Sequence, residues 1–496
     1  MIHKTFSPLL LFLMFSVLTS QNSFSQEKSM EFSLNECIDR ALRVNLNFKV
    51  SQLGLHTEDF NIIQAESQFD PSLSLSMNRN QSETPTFFGY YNVDKITSKS
   101  TQANFTLGQN ISTGANWGLG FYNTLSESNI ETEKNYTSYF GINLNQPLMK
   151  GFGKKVARSN IYLARLSRES TAHDIENSAM TLIYNVQNAY WNLVYALESL
   201  RIRELSLEQA DSLLAYNEKG FEVGILTESD VLEAKSAQLS RQTEVIEQRN
   251  SIRALEDNLR HLLNITSDDG WKLRLIPTDR AEVSEIDLDL ESSLEKALEF
   301  RPDYKIFQKS LEQDELQLDV AKNNMYPDLN LSARYRIDGS GTTLGKDLRD
   351  MSEFDAYGWS LGLLFSYPLK NRNARAHYEK MQINVKRTNL ILDDLKNQIM
   401  IELRNSIRNV EINREKIDVG KLAVEVNELK LRKEEERFRN QLSTSYFVLQ
   451  FQSDLATARN EYNKTMIDYT LAVAELQKAR GTLLKDMNIL IIINDE

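Results

Sequence analysis

Residues able to do chemistry are few in this chain and are not grouped. None of the five histidines has a partner at metal-ligand spacing; His173, His261 and His377 stand alone on long uninterrupted segments and are expected to be solvated. Gly151-Phe152-Gly153 is a bare GxG, short of the fuller nucleotide fingerprint. The charged run LRKEEERFR (431–439) reads as a solvated helical face. The only cysteine, Cys37, can form no disulfide within the chain. It also lies away from the expected leader cleavage, so it offers no lipid attachment. No nucleophile sits beside a base. The pattern calls for no catalytic residue, no metal and no cofactor, and it excludes an enzyme reading. With 57 Lys and Arg against 69 Asp and Glu, the net charge is −12, and no basic run interrupts it, which argues against nucleic acid as a partner.

The polar signal that does recur is positional. FEVGILTESDVLEA (221–234) interrupts two long stretches without Gly or Pro, and FRNQLSTSYFVLQF (438–451) does the same. Phe221, Thr227, Val231 and Leu232 match Phe438, Thr444, Val448 and Leu449 at an offset of 217. Gly224 can take a positive φ and end the outgoing helix. Thr227 can cap the returning one, with Asp230 three residues on. The second copy has Gln441 in place of Gly224, with Ser443 or Thr444 as a cap. Both segments read as turns of helical hairpins pointing the same way.

The elements that would carry those turns are also written twice. At an offset of 256, residues 41–76 match 297–332 with 10 identities in 36 positions. Pro147-Leu148 then matches Pro368-Leu369 at 221. Four prolines (Pro71, Pro147, Pro327, Pro368) mark helix–strand junctions, because proline lacks an N–H and restricts its predecessor. Between them apolar residues alternate with polar ones: Leu73, Leu75, Met77; Phe140, Ile142, Leu144; Leu329, Leu331, Ala333, Tyr335, Ile337; Trp359, Leu361, Leu363, Phe365. One face is dry and the other is Ser, Asn, Gly or Arg. Alternation alone fits either a sandwich or an outer-membrane barrel, and Trp117, Tyr122, Tyr139, Tyr335, Tyr357, Trp359 and Tyr367 suit aromatic girdles. Two further runs, 103–107 and 117–121, could be an outer hairpin or additional barrel strands.

Residues 154–219 hold no Gly or Pro, and 66 helical residues would span roughly 100 Å. Every seventh residue is apolar: Val186, Leu193, Leu200, Leu207, Leu214, Phe221, and at 217 further on Leu403, Val410, Ile417, Val424, Leu431, Phe438. A strict seven-residue period specifies a left-handed supercoil. Ile412, Val419, Leu422, Val426 and Leu429 form a second seam beside the first, as in the wall of a closed helical cylinder.

At the start, MIHKTFSPLLLFLMFSVLTSQNSFSQ reads as a secretory signal peptide cut between Ser25 and Gln26, which removes Lys4 and leaves 56 − 69 = −13. Signal, repeat, strand pairs and the 221–234 turn together resemble the TolC-like outer-membrane efflux proteins, over about residues 31–484. Phe221, Gly224, Thr227, Asp230, Val231 and Leu232 carry the turn motif, and QPLMKGFG (146–153) also looks like the family.

The resemblance implies a mainly α fold with a membrane β-barrel, shared by a homotrimer in the outer membrane of a Gram-negative bacterium. Each chain would give four strands to the barrel and two long hairpins to a periplasmic α-barrel tunnel. Partners would be outer-membrane lipid, a periplasmic adaptor and an inner-membrane pump or ABC transporter, and the cargo small toxic molecules. A type I protein-secretion conduit would share the fold, and a secreted coiled-coil interaction protein stays open if the strands form a sandwich. The segments would be a signal at 1–25; a first helix region, 26–70; first-repeat strands with an inserted hairpin, 71–147; a long hairpin, 148–265, turning near 222–229; an equatorial linker, 266–290; a second helix, 291–326; strands, 327–368; a second hairpin, 369–484, turning near 439–446; and an equatorial tail, 485–496. A short apolar run, 489–493, would dock there as a strand. The adaptor would meet Gly224, Leu226, Thr227, Leu442, Ser443 and Tyr446.

The pore would narrow at Asp230, Phe447 and Gln450. Family members hold the tip closed by linking this Asp to a Tyr and an Arg on the second hairpin; here those positions are Phe438 and Ser443. Asp230 is then expected to act only as a cap, with Arg439 as an unaligned ion partner. Phe447 either forms an apolar constriction or continues the core seam.

Overall fold

The chain runs twice through one order of elements. The computed structural model describes residues 29–86, 93–131, 133–267 and 270–490. The signal and its cleavage residues Ser25 and Gln26 lie outside them, as do residues 27–28 of the first helix region and 491–496 of the equatorial tail. The first pass is β1 (Ser29–Phe32), α1 (Leu34–Val44), α2 (Leu46–Glu66), β2 (Ser72–Pro85), β3 (Lys95–Asn110), β4 (Asn116–Ser128), β5 (Asn135–Pro147), α3 (Lys154–Ala157), α4 (Ser159–Glu222) and α5 (Glu228–Leu262). The second is β6 (Arg274–Pro277), α6 (Leu290–Phe300), α7 (Pro302–Asn323), β7 (Asp328–Gly341), α8 (Leu344–Glu353), β8 (Tyr357–Ser366), α9 (Arg372–Arg439), α10 (Ser445–Ala479) and α11 (Leu483–Asp486).

The sequence offsets reappear as structure. Asn45 breaks α1 from α2 with ψ 126°, and Arg301, 256 residues on, breaks α6 from α7 with ψ 120°. One extended residue is enough to end each helix, and Asn45 then caps the next by accepting from Phe48 N–H at 3.1 Å. At the other end of the chain's path, α5 and α10 are each 35 residues long and lie 217 apart at both ends.

The strands form one antiparallel sheet in the order β2-β3-β4-β5-β7-β8. It therefore contains six strands, not the four that the family resemblance implies. Residues 103–107 and 117–121 lie on β3 and β4, which enter the sheet between β2 and β5 instead of standing outside it. The register lines up Leu75, Phe105, Phe121, Phe140, Ile337 and Tyr357 in one row across all six strands. The neighbouring row on the same face is Leu73, Leu107, Leu119, Ile142, Tyr335 and Trp359. Because side chains alternate, the opposite face carries Ser74, Asn104, Gly120, Tyr139, Arg336 and Gly358. Across these rows one face is dry and the other is wet.

Below the sheet the helices make a wall one layer thick. Near the strands its order is α2, α4, α7, α9; toward the hairpin turns it is α5, α4, α10, α9. At 64 residues, α4 runs about 96 Å and belongs to both halves. The heptad seam is the core: Val186, Leu193, Leu200 and Leu214 on α4, and Leu403, Val410, Ile417, Leu431 and Phe438 on α9, are buried. Phe221 departs from its equivalent and is 49% exposed, whereas Phe438 is covered by Tyr216 at 5.5 Å between ring centroids. The second seam is uncovered in the single chain, with Ile412, Val419, Leu422, Val426 and Leu429 all exposed.

Midway along the wall sits a small mixed knot. β1 pairs parallel with β6, and the buried Tyr190 hydroxyl donates to Asp279 at 2.6 Å while accepting from the Thr278 and Asp279 N–H groups. Cys37 is fully buried here, and burial pushes its thiol up to about 12. Ile489 and Leu490 form no strand, contrary to expectation; 491–493 lie outside the described residues. His173 is half-buried against Glu176 at 3.1 Å, so it is neither isolated nor fully solvated.

Candidate functional site

The two hairpin turns are built alike from different residues. Gly224 has φ 77° and Gln441 has φ 60°, the left-handed region in which glycine is at ease and glutamine is not. In each turn an N–H reaches back over the last helical turn: Ile225 to Gly220 O at 2.9 Å, and Leu442 to Arg437 O at 2.8 Å. Leu226 folds under the first turn against Gly220, where any Cβ would meet its Cδ1 at 2.7 Å.

The returning helices start differently. Thr227 and Asp230 form a full capping box: Asp230 N–H donates to Thr227 Oγ1, and Asp230 Oδ2 accepts from Thr227 N–H at 2.9 Å. Thr444 occupies the equivalent cap position on α10 without a side-chain capping bond. Ser443 instead donates to Glu434, which also holds Arg437 at 3.1 Å.

Asp230 is not only a cap. Its Oδ1 accepts from the hydroxyl of Ser445 at 3.3 Å, joining the first hairpin to the second. The partner is therefore Ser445 and not Arg439. The Thr227 hydroxyl and N–H, with Ser445 behind them, hold the Asp230 carboxyl below the usual range. Asn217 adds a further tie: it is fully buried and donates to Asp230 O at 2.9 Å.

Phe447 lies outside the core seam. It is 48% exposed and packs edge-on against Tyr446 at 5.5 Å, while its neighbour Val448 is buried. Gln450 is exposed and donates to Asp454. Thr227, Leu442 and Tyr446 are exposed at the turn, and Leu226 and Ser443 are half-buried. Asp230, Phe447 and Gln450 all start the returning helices, but only Asp230 joins the two hairpins. Ser445, Asn217 and Glu434 were missed by the sequence reading. Asn217 had a signal: a polar residue three positions after Leu214 breaks the seam, as buried Asn does in coiled coils. The short Ser445 side chain had none.

The wall has two open edges. On one side β2, α2 and α5 have no outer neighbour, and they expose Leu73, Leu75 and Met77, then Val50, Leu53 and Phe60, then Leu232, Leu239 and Ile246. On the other, β8 and α9 expose Leu361 and Leu363, then Ile383 and Leu390, then Val419, Val426 and Leu429. Leu232, Leu239 and Ile246 recur at seven, as do Ile412, Val419 and Val426, and both sets lie between the middle of α5 or α9 and its hairpin turn. Among the described residues no helix is long and apolar enough to cross a membrane, and no cluster of His, Cys, Asp or Glu could hold a metal ion.

Comparison with known proteins finds the outer membrane efflux protein family pattern over residues 118–264 and 293–482. The chain is 22% identical over 233 residues to the toxin and drug export protein A of Aggregatibacter actinomycetemcomitans, covering 45% of this chain and 49% of that one. It thus spans about half the length of the curated relatives it matches. Its fold is similar to the Campylobacter jejuni CmeC outer membrane channel, with TM-score 0.68, 16% identity and 99% of each chain covered. It is also similar to the outer membrane protein VceC of Vibrio cholerae, with TM-score 0.67, 15% identity, and 90% of this chain and 96% of that one covered.

Proposed function

Because the chain belongs to the outer membrane efflux protein family, we propose that it is the exit duct through which small toxic molecules leave the cell. Its place is the outer membrane. A periplasmic adaptor and an inner-membrane pump would complete the path, and the export protein among its relatives favours drugs and toxins as cargo.

The observation that carries this reading is a wall with one wet sheet face and two complementary open edges. A six-stranded sheet cannot close on itself around water, since about eight strands already fill their interior with side chains. Pairing β8 of one copy with β2 of the next removes both free edges. The same rotation brings the exposed stripes of α9 onto those of α2 and α5, a head-to-tail contact that makes a ring when it closes. Three copies would give eighteen strands around a polar lumen and an apolar exterior facing lipid. The hairpin ends then converge at the far end of the tunnel. Gly224, Leu226, Thr227, Leu442, Ser443 and Tyr446 would meet the adaptor there, and Phe447, with Asp230 and Gln450 nearby, would narrow the opening.

Two measurements test this on the purified full-length protein. Light scattering in mild detergent should give the mass of three chains, and planar bilayers should show ion conductance. A monodisperse monomer, or a trimer that conducts nothing when inserted, refutes the reading.

A further inference from the structure

The short helix α8 lies in the β7–β8 connection, at the end of the sheet away from the hairpins. Its side of the sheet follows from the register. Asn123 pairs with Ser138 and Ser138 with Gly339, two residues above the row containing Phe121, Phe140 and Ile337. Side chains two apart share a face, so Asn123, Ser138 and Gly339 belong to the dry side.

That is where α8 is fastened. Asp347 is fully buried and accepts from the Ser138 N–H at 3.1 Å, from the Ser138 hydroxyl and from Asn123 Nδ2 at 3.3 Å. Two glycines let the helix come this close. A Cβ on Gly339 would strike Asp347 O, and one on Gly341 would lie 2.6 Å from Asp347 N. Ile337 is buried where α8 passes, although its row neighbour Phe140 is exposed.

The helix so fastened leaves apolar residues uncovered. Leu344 is 43% exposed, Leu348 38% and Phe354 63%. Phe354 is the C-cap, with φ 57°, a conformation in which a bulky residue is strained and Gly or Asn is usual. The turn therefore keeps an aromatic ring outside at some energetic expense. Tyr335 and Tyr357 stack on one another in the two apolar rows, 6.2 Å between centroids.

We propose that α8 is an interfacial anchor whose partner is outer-leaflet lipid. A helix locked to the sheet by Asp347 and by Asp350, which accepts from the Ser340 N–H at 3.0 Å, and carrying exposed Leu and Phe where an apolar band meets aromatics, matches the headgroup–acyl boundary. Its apolar surface continues the sheet's dry face, which favours lipid over a protein partner. The helix fixes the height of the barrel in the membrane and shields β5 and β7 at the rim. This rests on the barrel reading above.

The test uses full-length protein in lipid bilayers, with a nitroxide on a single introduced cysteine. Cys37 is buried and its thiol is pushed up to about 12, so it stays unlabelled. Leu348→Cys is compared with Leu361→Cys, in the middle of the apolar band. Collision with oxygen should exceed collision with a water-soluble nickel chelate by several-fold at both positions, with a shallower depth at 348. If 361 reads as lipid and 348 as water, the anchor is overturned and the barrel stands. If 348 is shielded from both reagents, a protein partner covers α8 and the anchor is again overturned. If 361 itself reads as water, the barrel reading falls and the anchor falls with it.

Discussion

Replacing Gly224 by Ala separates backbone strain from steric contact at the tip. Gly224 has φ 77°, and nothing lies within 4 Å of the position a Cβ would take. The whole effect must therefore come from the dihedral. A left-handed L-residue costs about 1–2 kcal/mol, and the stiffer unfolded chain returns about 0.4–1 kcal/mol. The turn should lose about 1 kcal/mol, or roughly fivefold in its local opening equilibrium, given tenfold per 1.4 kcal/mol. Hydrogen exchange reads this directly, because the Ile225 and Leu226 N–H groups are both held by Gly220 O. Their exchange should accelerate about fivefold. The second hairpin supplies the reverse experiment. Gln441 sits at φ 60° at the equivalent place, so Gln441→Gly should slow exchange of Leu442 N–H a few-fold. Unchanged exchange in Gly224→Ala, or faster exchange in Gln441→Gly, would refute the reasoning and show that other contacts hold these turns.

Other outcomes follow from the same contacts. Val419→Asp with Val426→Asp places charges on an exposed seam of α9, so the protomer should fold while the trimer falls apart on a size-exclusion column; each lost Val burial is worth about 1.5–3 kcal/mol. In single-channel recordings Phe447→Ala should raise conductance clearly and Asp230→Ala only slightly, since the Ser445 hydrogen bond it removes is worth about 0.5–1.5 kcal/mol; the opposite ranking would make the gate polar. The Asp230 carboxyl titrates below its unfolded value, so its contacts stabilise the tip above about pH 4 and fade as pH falls through the lower folded value. Exchange at the Asp230 N–H should accordingly be flat from pH 8 to pH 5, after correction for intrinsic rates, and rise only in stronger acid. Gly224→Trp should leave membrane insertion intact and reduce export, and normal export would remove Gly224 from the docking surface.

The seam from Val186 to Leu214 and its copy from Leu403 to Phe438 were legible because heptad spacing is local and repeats many times. The breaks at Asn45 and Arg301 were not, since one extended residue leaves the apolar period almost undisturbed. The alternation on β3 and β4 was visible, but their insertion between β2 and β5 depends on pairing partners far apart in sequence. At only 10 residues, α8 would be marginal alone and owes its existence to Asp347 finding Ser138 across 209 residues. The tip followed the same rule. The Thr227–Asp230 box was readable at three residues' spacing, and the Asp230–Ser445 bond, 215 residues apart, was not.

In the proposed trimer the inserted β3 and β4 would change where flow through the duct is limited. Sections of a water-filled tube add as resistances in series, each falling with its cross-sectional area. Eighteen strands at about 4.8 Å spacing and about 40° tilt enclose a backbone circle of about 36 Å, against about 24 Å for twelve. The area is then about 2.25 times larger, and the membrane section contributes less than half the resistance per unit length that it otherwise would. A larger share of the drop in potential or concentration would therefore fall across the helical tunnel and its hairpin ends. Substitutions there would be read more directly in a current, and partial narrowing of the barrel would weigh less.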